Sequence, residues 1–203
     1  SPAFINPSVS VLGTFTVATG TIALPTGTLT VGRSFINNGY FMHNNGEVKF
    51  TSTVPATITL NGTQFFNALY NVTFSGTGSW TFSDLNATSS NDVIINNGSV
   101  VFPTGVMTIG GTLDVNAGSF NANNGTVKFT SSENEDVTTK GSSFNNVIFG
   151  LNDSTVGWYN SDWARRSVIT IASTSVAGAV TGFPVYIDLS MLGDEFWSNV
   201  QSD

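Results

Sequence analysis

The chain has 203 residues, enough to bury a sizeable core as one or two domains, and no cysteine, so neither a disulfide framework nor thiolate chemistry is open to it. Only 9% of its residues are charged, against roughly 25% in an average soluble domain, and its formal net charge of −7 argues against nucleic acid or an anionic membrane as partner. No apolar run approaches the length of a membrane span.

The chain opens on Ser1-Pro2-Ala3, as one would after removal of a signal segment, and export is the expectation. Ala3-Phe4-Ile5 and the alternating run Ser8 to Leu12 then read as strand, with no polar capping helix ahead of them. Short apolar runs follow at Phe15/Val17, Leu29/Val31, Phe41, Val48/Phe50, Ile58/Leu60, Phe65/Leu69 and Val72/Phe74, broken every few residues by Gly, Asn-Gly or Thr-Gly. Period-two alternation turns one side of each run inward, and the Asn-Gly breaks supply the positive-φ positions that tight turns need. Thr, Ser, Val, Asn and Gly dominate, and helical spacing is absent before about residue 190. The class is all-β.

A long internal repeat says how those strands are arranged. Pro25-Thr26-Gly27 returns as Pro103-Thr104-Gly105 and Leu29-Thr30-Val31-Gly32 as Met107-Thr108-Ile109-Gly110, both 78 positions on. Asn44-Asn45-Gly46 with Val48-Lys49-Phe50-Thr51-Ser52 returns 79 positions on as Asn123-Asn124-Gly125 with Val127-Lys128-Phe129-Thr130-Ser131. A sandwich of antiparallel hairpins and a stacked β-solenoid both accommodate this pattern. The solenoid, with about four coils per block, accounts better for duplication in register, because each coil buries its inner side only by stacking on a similar neighbour. On that reading, residues 78 or 79 apart occupy equivalent inward sites, and the Asn pairs at 44–45 and 123–124 either stack as amide ladders or simply make turns.

Chemistry is sparse along the repeats. His43, the one histidine, lies beside the Asn44-Asn45-Gly46 turn and reads as a turn residue rather than a catalytic base. Asp84 and Asp92 are the nearest pair of acids up to Ser131, a region with four acids, whereas the other nine lie beyond it. Glu133-Asn134-Glu135-Asp136 reads as a solvated loop tip rather than a Ca²⁺ site. Neither a nucleophilic triad nor the clustered carboxylates of a polysaccharide-cleaving enzyme is present, so no enzyme, metal or cofactor is expected. Asn61, Asn71, Asn86, Asn97, Asn124 and Asn152 stand in N-x-S/T sequons, which arise readily in an Asn/Thr-rich chain.

Near residue 150 the text changes. Gly150 to Ser154 is turn-rich, and Trp158-Tyr159, Trp163-Ala164-Arg165-Arg166, the strands 167–175 and 183–190, and a short helix over 191–200 follow without Asn-Gly punctuation. This divides the chain into repeats at 1–157 and a second β module, or strand-exchange segment, at 158–203. Trp163 to Arg166, Ile169-Thr170-Ile171, Phe183-Pro184-Val185 and Phe196 to Asp203 resemble the opening of a lectin-like, concanavalin-type β-sandwich found in bacterial surface proteins. The Asn/Gly/Thr-rich repeats resemble bacterial filamentous-adhesin-like β-solenoids. The resemblance implies a partial sandwich whose remaining strands would follow Asp203, and no catalytic residues.

Together these readings give an extracellular or cell-surface structural protein, the subunit or stalk of a homopolymeric fibre joined by head-to-tail strand pairing. Phe4, Ile5, Val9, Val11, Val168, Ile169 and Ile171 are the expected subunit interface. The alternative is an adhesin in which the repeats are a spacer and Trp80, Trp158, Tyr159 and Trp163 stack on surface glycans, with Trp197 a further aromatic candidate.

Overall fold

Asn and Gly corners leave the chain no more than four residues of extended backbone at a time, and each strand pairs in parallel with one about a coil away rather than with its neighbour in sequence. The computed structural model describes residues 7–61, 67–131, 133 and 135–150, and among them it has nineteen short strands and no helix. They form three walls. Val9–Val11, Thr28–Val31, Glu47–Phe50, Asn71–Phe74, Val93–Ile95, Leu113–Val115 and Val137–Thr138 stack in that order as the first. Phe15–Val17, Phe35–Asn37, Ala56–Thr59, Ser79–Phe82, Ser99–Val101 and Ser119–Asn121 make the second. The third begins with Thr21–Ala23 and Tyr40–Met42 and resumes with Ala87–Ser89, Val106–Ile109, Thr126–Phe129 and Asn146–Phe149, Leu69 bridging to Ser89. The chain takes the walls in rotation, giving an all-β solenoid of about seven coils.

Register is what builds the core. On the first wall Val9 pairs with Leu29, and Val48, Val72, Val93, Leu113 and Val137 follow, at steps of 20, 19, 24, 21, 20 and 24 residues. Inward side chains therefore stand in columns with like above like. Phe50 stacks on Phe74 at 5.1 Å between ring centroids, Phe102 on Phe120 at 5.0 Å and Phe129 on Phe149 at 5.2 Å. Such offset aromatic pairs contribute about 0.5–1.5 kcal/mol each beyond the area they bury.

The repeated blocks share burial but not position. Leu29 and Met107, Val48 and Val127, and Phe50 and Phe129 are all buried, as the repeat requires. Leu29 and Phe50 nevertheless belong to the first wall, whereas Met107 and Phe129 belong to the third. Four coils on from Leu29 is Leu113, 84 residues away, so a step of 78 stops one wall short. The cause is the 24-residue coil between Val48 and Val72, which the repeat does not count.

The blocks do share their corner. Asn44, Asn45, Asn123 and Asn124 all have φ between 50° and 59°, the left-handed region that Asn tolerates. The Asn44 amide donates to Leu24 O at 2.9 Å and the Asn123 amide to Phe102 O at 3.1 Å, the same bond 78 or 79 residues apart. These amides thus tie their corner to the preceding coil instead of laddering with one another. Side-chain ladders form elsewhere, from Asn91 to Asn71 at 2.8 Å and from Asn116 to Asn96 at 2.9 Å.

Gly46 and Gly125 complete the shared corner. A Cβ at Gly46 would collide with the carbonyl oxygens of Pro25 and Gly27, and one at Gly125 with those of Pro103 and Gly105. Gly125→Ala is therefore expected to destabilise by about 1–3 kcal/mol, while Gly13→Ala, with nothing within 4 Å of the added Cβ, should change stability by less than about 0.5 kcal/mol. Denaturant midpoints of the two variants check the contrast. Phe50→Asp should cost several kcal/mol, since it leaves an unpaired charge in an apolar column, and an unchanged thermal melt would remove Phe50 from the core.

Candidate functional site: the open edges of the solenoid

A parallel stack has a first and a last strand on every wall, and each leaves one row of backbone N–H and C=O groups without a strand partner. Val9–Val11 is the first strand of the first wall and pairs only with Thr28–Val31 among the described strands. Val9 and Val11 face inward opposite Leu29 and Val31, yet are only half-buried, because one described coil covers them rather than two. Next to them Leu12 is 90% exposed. At the far end Asn146–Phe149 closes the third wall, pairing only with Thr126–Phe129 among the described strands. Phe149 continues the inward column of Ile109 and Phe129 but is 66% exposed, since no described coil lies over its outer side. Val137, in the last strand of the first wall, is exposed as well. Each end thus combines a strand edge with apolar side chains, the combination through which one chain adds a strand to another.

Of the interface residues expected from the sequence, Val9 and Val11 lie on this edge, while Phe4, Ile5, Val168, Ile169 and Ile171 fall outside the described residues. So do Trp158, Tyr159, Trp163 and Trp197, together with the whole second module and its expected helix. Trp80 requires a correction. It is fully buried, packed on Phe74 at 5.1 Å and Phe50 at 6.4 Å, and offers no face to a sugar. It falls at an inward position of Ser79–Phe82, in register with Ala56 and Val100, and filling the space opposite that alanine leaves its Nε1 buried without a hydrogen-bond partner.

The polar residues singled out from the sequence act as braces between coils. Asp84 accepts the backbone N–H groups of Leu60 at 2.6 Å and Asn61 at 2.9 Å, and Asp92 accepts that of Thr112 at 3.0 Å. Glu135 receives the hydroxyls of Ser131 at 3.0 Å and Thr112 at 2.9 Å. No three His, Cys, Asp or Glu side chains are grouped as metal ligands would be among the described residues. Two buried amides escaped notice in the sequence. Asn37 donates to Leu60 O at 2.6 Å, and Asn67 accepts the Phe41 N–H at 2.8 Å and donates to Asn61 O at 3.0 Å. For Asn37 a signal did exist, since it stands at the inward parity of Phe35-Ile36-Asn37.

His43 holds the Asn44-Asn45 corner from within. Its ring stacks on Tyr70 at 5.2 Å, and its Nδ1 accepts the Asn45 N–H at 3.0 Å, which requires that nitrogen to be unprotonated. Partial burial lowers its pKa below the ordinary 6.5.

Comparison with known proteins returns no matching family model, no matching curated protein and no matching solved structure. No helix of the described residues is long and apolar enough to cross a membrane.

The lowered pKa has a definite sign for stability. The unfolded chain takes up the His43 proton near pH 6.5 and the folded chain only at lower pH, so stability is flat above that value and declines as pH falls from it to the folded pKa. The difference in thermal midpoint between the wild type and His43→Gln, measured at a series of pH values, should therefore change across that interval. A constant difference would show that the corner does not depend on neutral His43.

Proposed function

We propose that this chain is an extracellular structural protein, the subunit or stalk of a surface fibre in which copies join head to tail by β-strand pairing. The observation that carries the reading is the pair of strand edges, Val9–Val11 at one end of the stack and Asn146–Phe149 at the other, each flanked by exposed apolar side chains. The two ends are different surfaces, so a contact between them is heterologous and, unless it closes into a ring, propagates as a filament. Parallel register also favours end-to-end addition, because an incoming coil extends the inward columns that the last coil leaves open. A charged fraction of 9% suits a protein exposed to variable salt and pH, since little of its surface depends on ionisation. Such a role needs no catalytic residue. The resemblance of the repeats to filamentous-adhesin-like solenoids, and of residues 163–203 to the start of a lectin-like sandwich, belongs to the same reading of a large surface polypeptide.

Electron microscopy and light scattering of the intact protein, beside a variant lacking residues 1–12, test the proposal. The intact chain should form regular filaments. The truncated one should keep its β circular-dichroism signal, because stacked coils lose stability locally when an end coil is removed, but should not assemble. A truncated protein that still forms the same fibre, or an intact chain that stays monomeric at high concentration, would overturn it. Monomers that bind a glycan array would put the adhesin with a repeat spacer in its place.

A further inference from the structure

Four Asn-Gly pairs lie wholly within the described residues, at Asn38-Gly39, Asn45-Gly46, Asn97-Gly98 and Asn124-Gly125. In sequence they are equivalent. An Asn followed by Gly is the dipeptide most open to attack of the following backbone nitrogen on the side-chain carbonyl carbon, because no Cβ obstructs the approach. Folding separates the four. The Gly39 N–H donates to Asn37 Oδ1 at 3.1 Å, the Gly46 N–H to His43 O at 3.0 Å and the Gly125 N–H to Ala122 O at 2.8 Å. In each case the nitrogen is held by a group other than its own asparagine. The Gly98 N–H instead donates to Oδ1 of Asn97 itself, at 2.8 Å. That contact brings nucleophile and carbonyl together and polarises the carbonyl, in an exposed side chain that water and base can reach.

We infer that Asn97 is a site of spontaneous covalent modification, converting to aspartate and isoaspartate in the folded protein while the other three pairs are protected. Solvent base removes the Gly98 amide proton, the nitrogen forms a bond to Asn97 Cγ, and the bond from Cγ to the side-chain nitrogen breaks as ammonia leaves. Water then opens the resulting succinimide at either carbonyl. The net change is amide plus water to carboxylic acid plus ammonia, with nothing oxidised or reduced.

The location gives the change a consequence. Gly98 has φ of +73°, and a Cβ on it would clash with Gly78 O, as one on Gly118 would with Gly98 O. Gly78, Gly98 and Gly118 thus form a close-packed column at the corner that leads into the paired strands starting at Ser79, Ser99 and Ser119. Isoaspartate lengthens the backbone by one atom at that column, and the three coils no longer share a register. The chain carries a slow, irreversible weak point halfway along its stack.

The test is peptide mapping by mass spectrometry, with isoaspartate scored separately, after incubation of the folded protein in mildly alkaline buffer and, in parallel, of the protein in denaturant. In the folded protein Asn97 should convert on the order of tenfold faster than Asn38, Asn45 or Asn124, and in denaturant the four should converge. Asn97→Gln should remove the early modification and leave the other three rates unchanged. Because Gly98→Ala is strained and clashes, it is not the variant to rely on. An intact Asn97, or Asn45 or Asn124 reacting as fast in the folded chain, would overturn the inference.

Discussion

Everything in this structure depends on one constraint, that each coil match the next in register. In a parallel ladder of period two, a slip of one residue would turn Phe50 and Phe74 outward and carry Lys49 and Thr73 into the core. A single coil buries almost nothing on its own, so the apolar columns exist only because successive coils agree on which residues face inward. Spacing is the looser requirement. Coils of 19 to 24 residues coexist in the first wall, since extra residues are taken up at corners while the paired strands keep step.

Corners therefore decide what the walls can tolerate. Asn is used there in two ways, as a residue that enters the left-handed region and as an amide that reaches the carbonyl of the preceding coil, and Asn44 and Asn123 do both. The same economy extends inward. Asn37 and Ser89 are completely buried in the strands yet satisfied by the backbone of adjoining turns, Ser89 donating to Tyr70 O at 2.7 Å. A buried polar group without such partners costs more than a typical hydrogen bond contributes, which is why these side chains sit where walls meet turns. Glycine does the complementary work, allowing backbone of successive coils to approach where any side chain would clash.

Stacking also creates the feature on which the proposed function rests. A solenoid satisfies its backbone everywhere except at its first and last coils, so its ends differ chemically from its sides. On the sides the outward positions are mostly hydroxyl and amide groups already bonded across coils, as in the Thr59–Ser83 contact at 2.7 Å. At the ends, Val9, Val11 and Phe149 are core residues with too little above them. Assembly through the ends and a labile corner within the stack are two outcomes of the same architecture, because both follow from how closely one coil depends on the next.

Sequence alone determined the all-β class, the inward residues of nearly every strand, the Asn-Gly corners and a coil of about twenty residues, because alternation and turn chemistry are local properties that each run displays by itself. It could not place the walls. The match of Leu29 to Met107 records equal burial and equal corners, but which wall a strand joins depends on the summed length of every coil before it, including the long one between Val48 and Val72. Nor could it separate a core tryptophan from a surface one. Trp80 follows Ser79 in a run that reads equally well facing either way, and only its register with Ala56 and Val100 turned it inward. The four Asn-Gly pairs make the point once more. They are identical as dipeptides, and hydrogen bonds from residues brought together by the fold decide which amide is held and which is free to react.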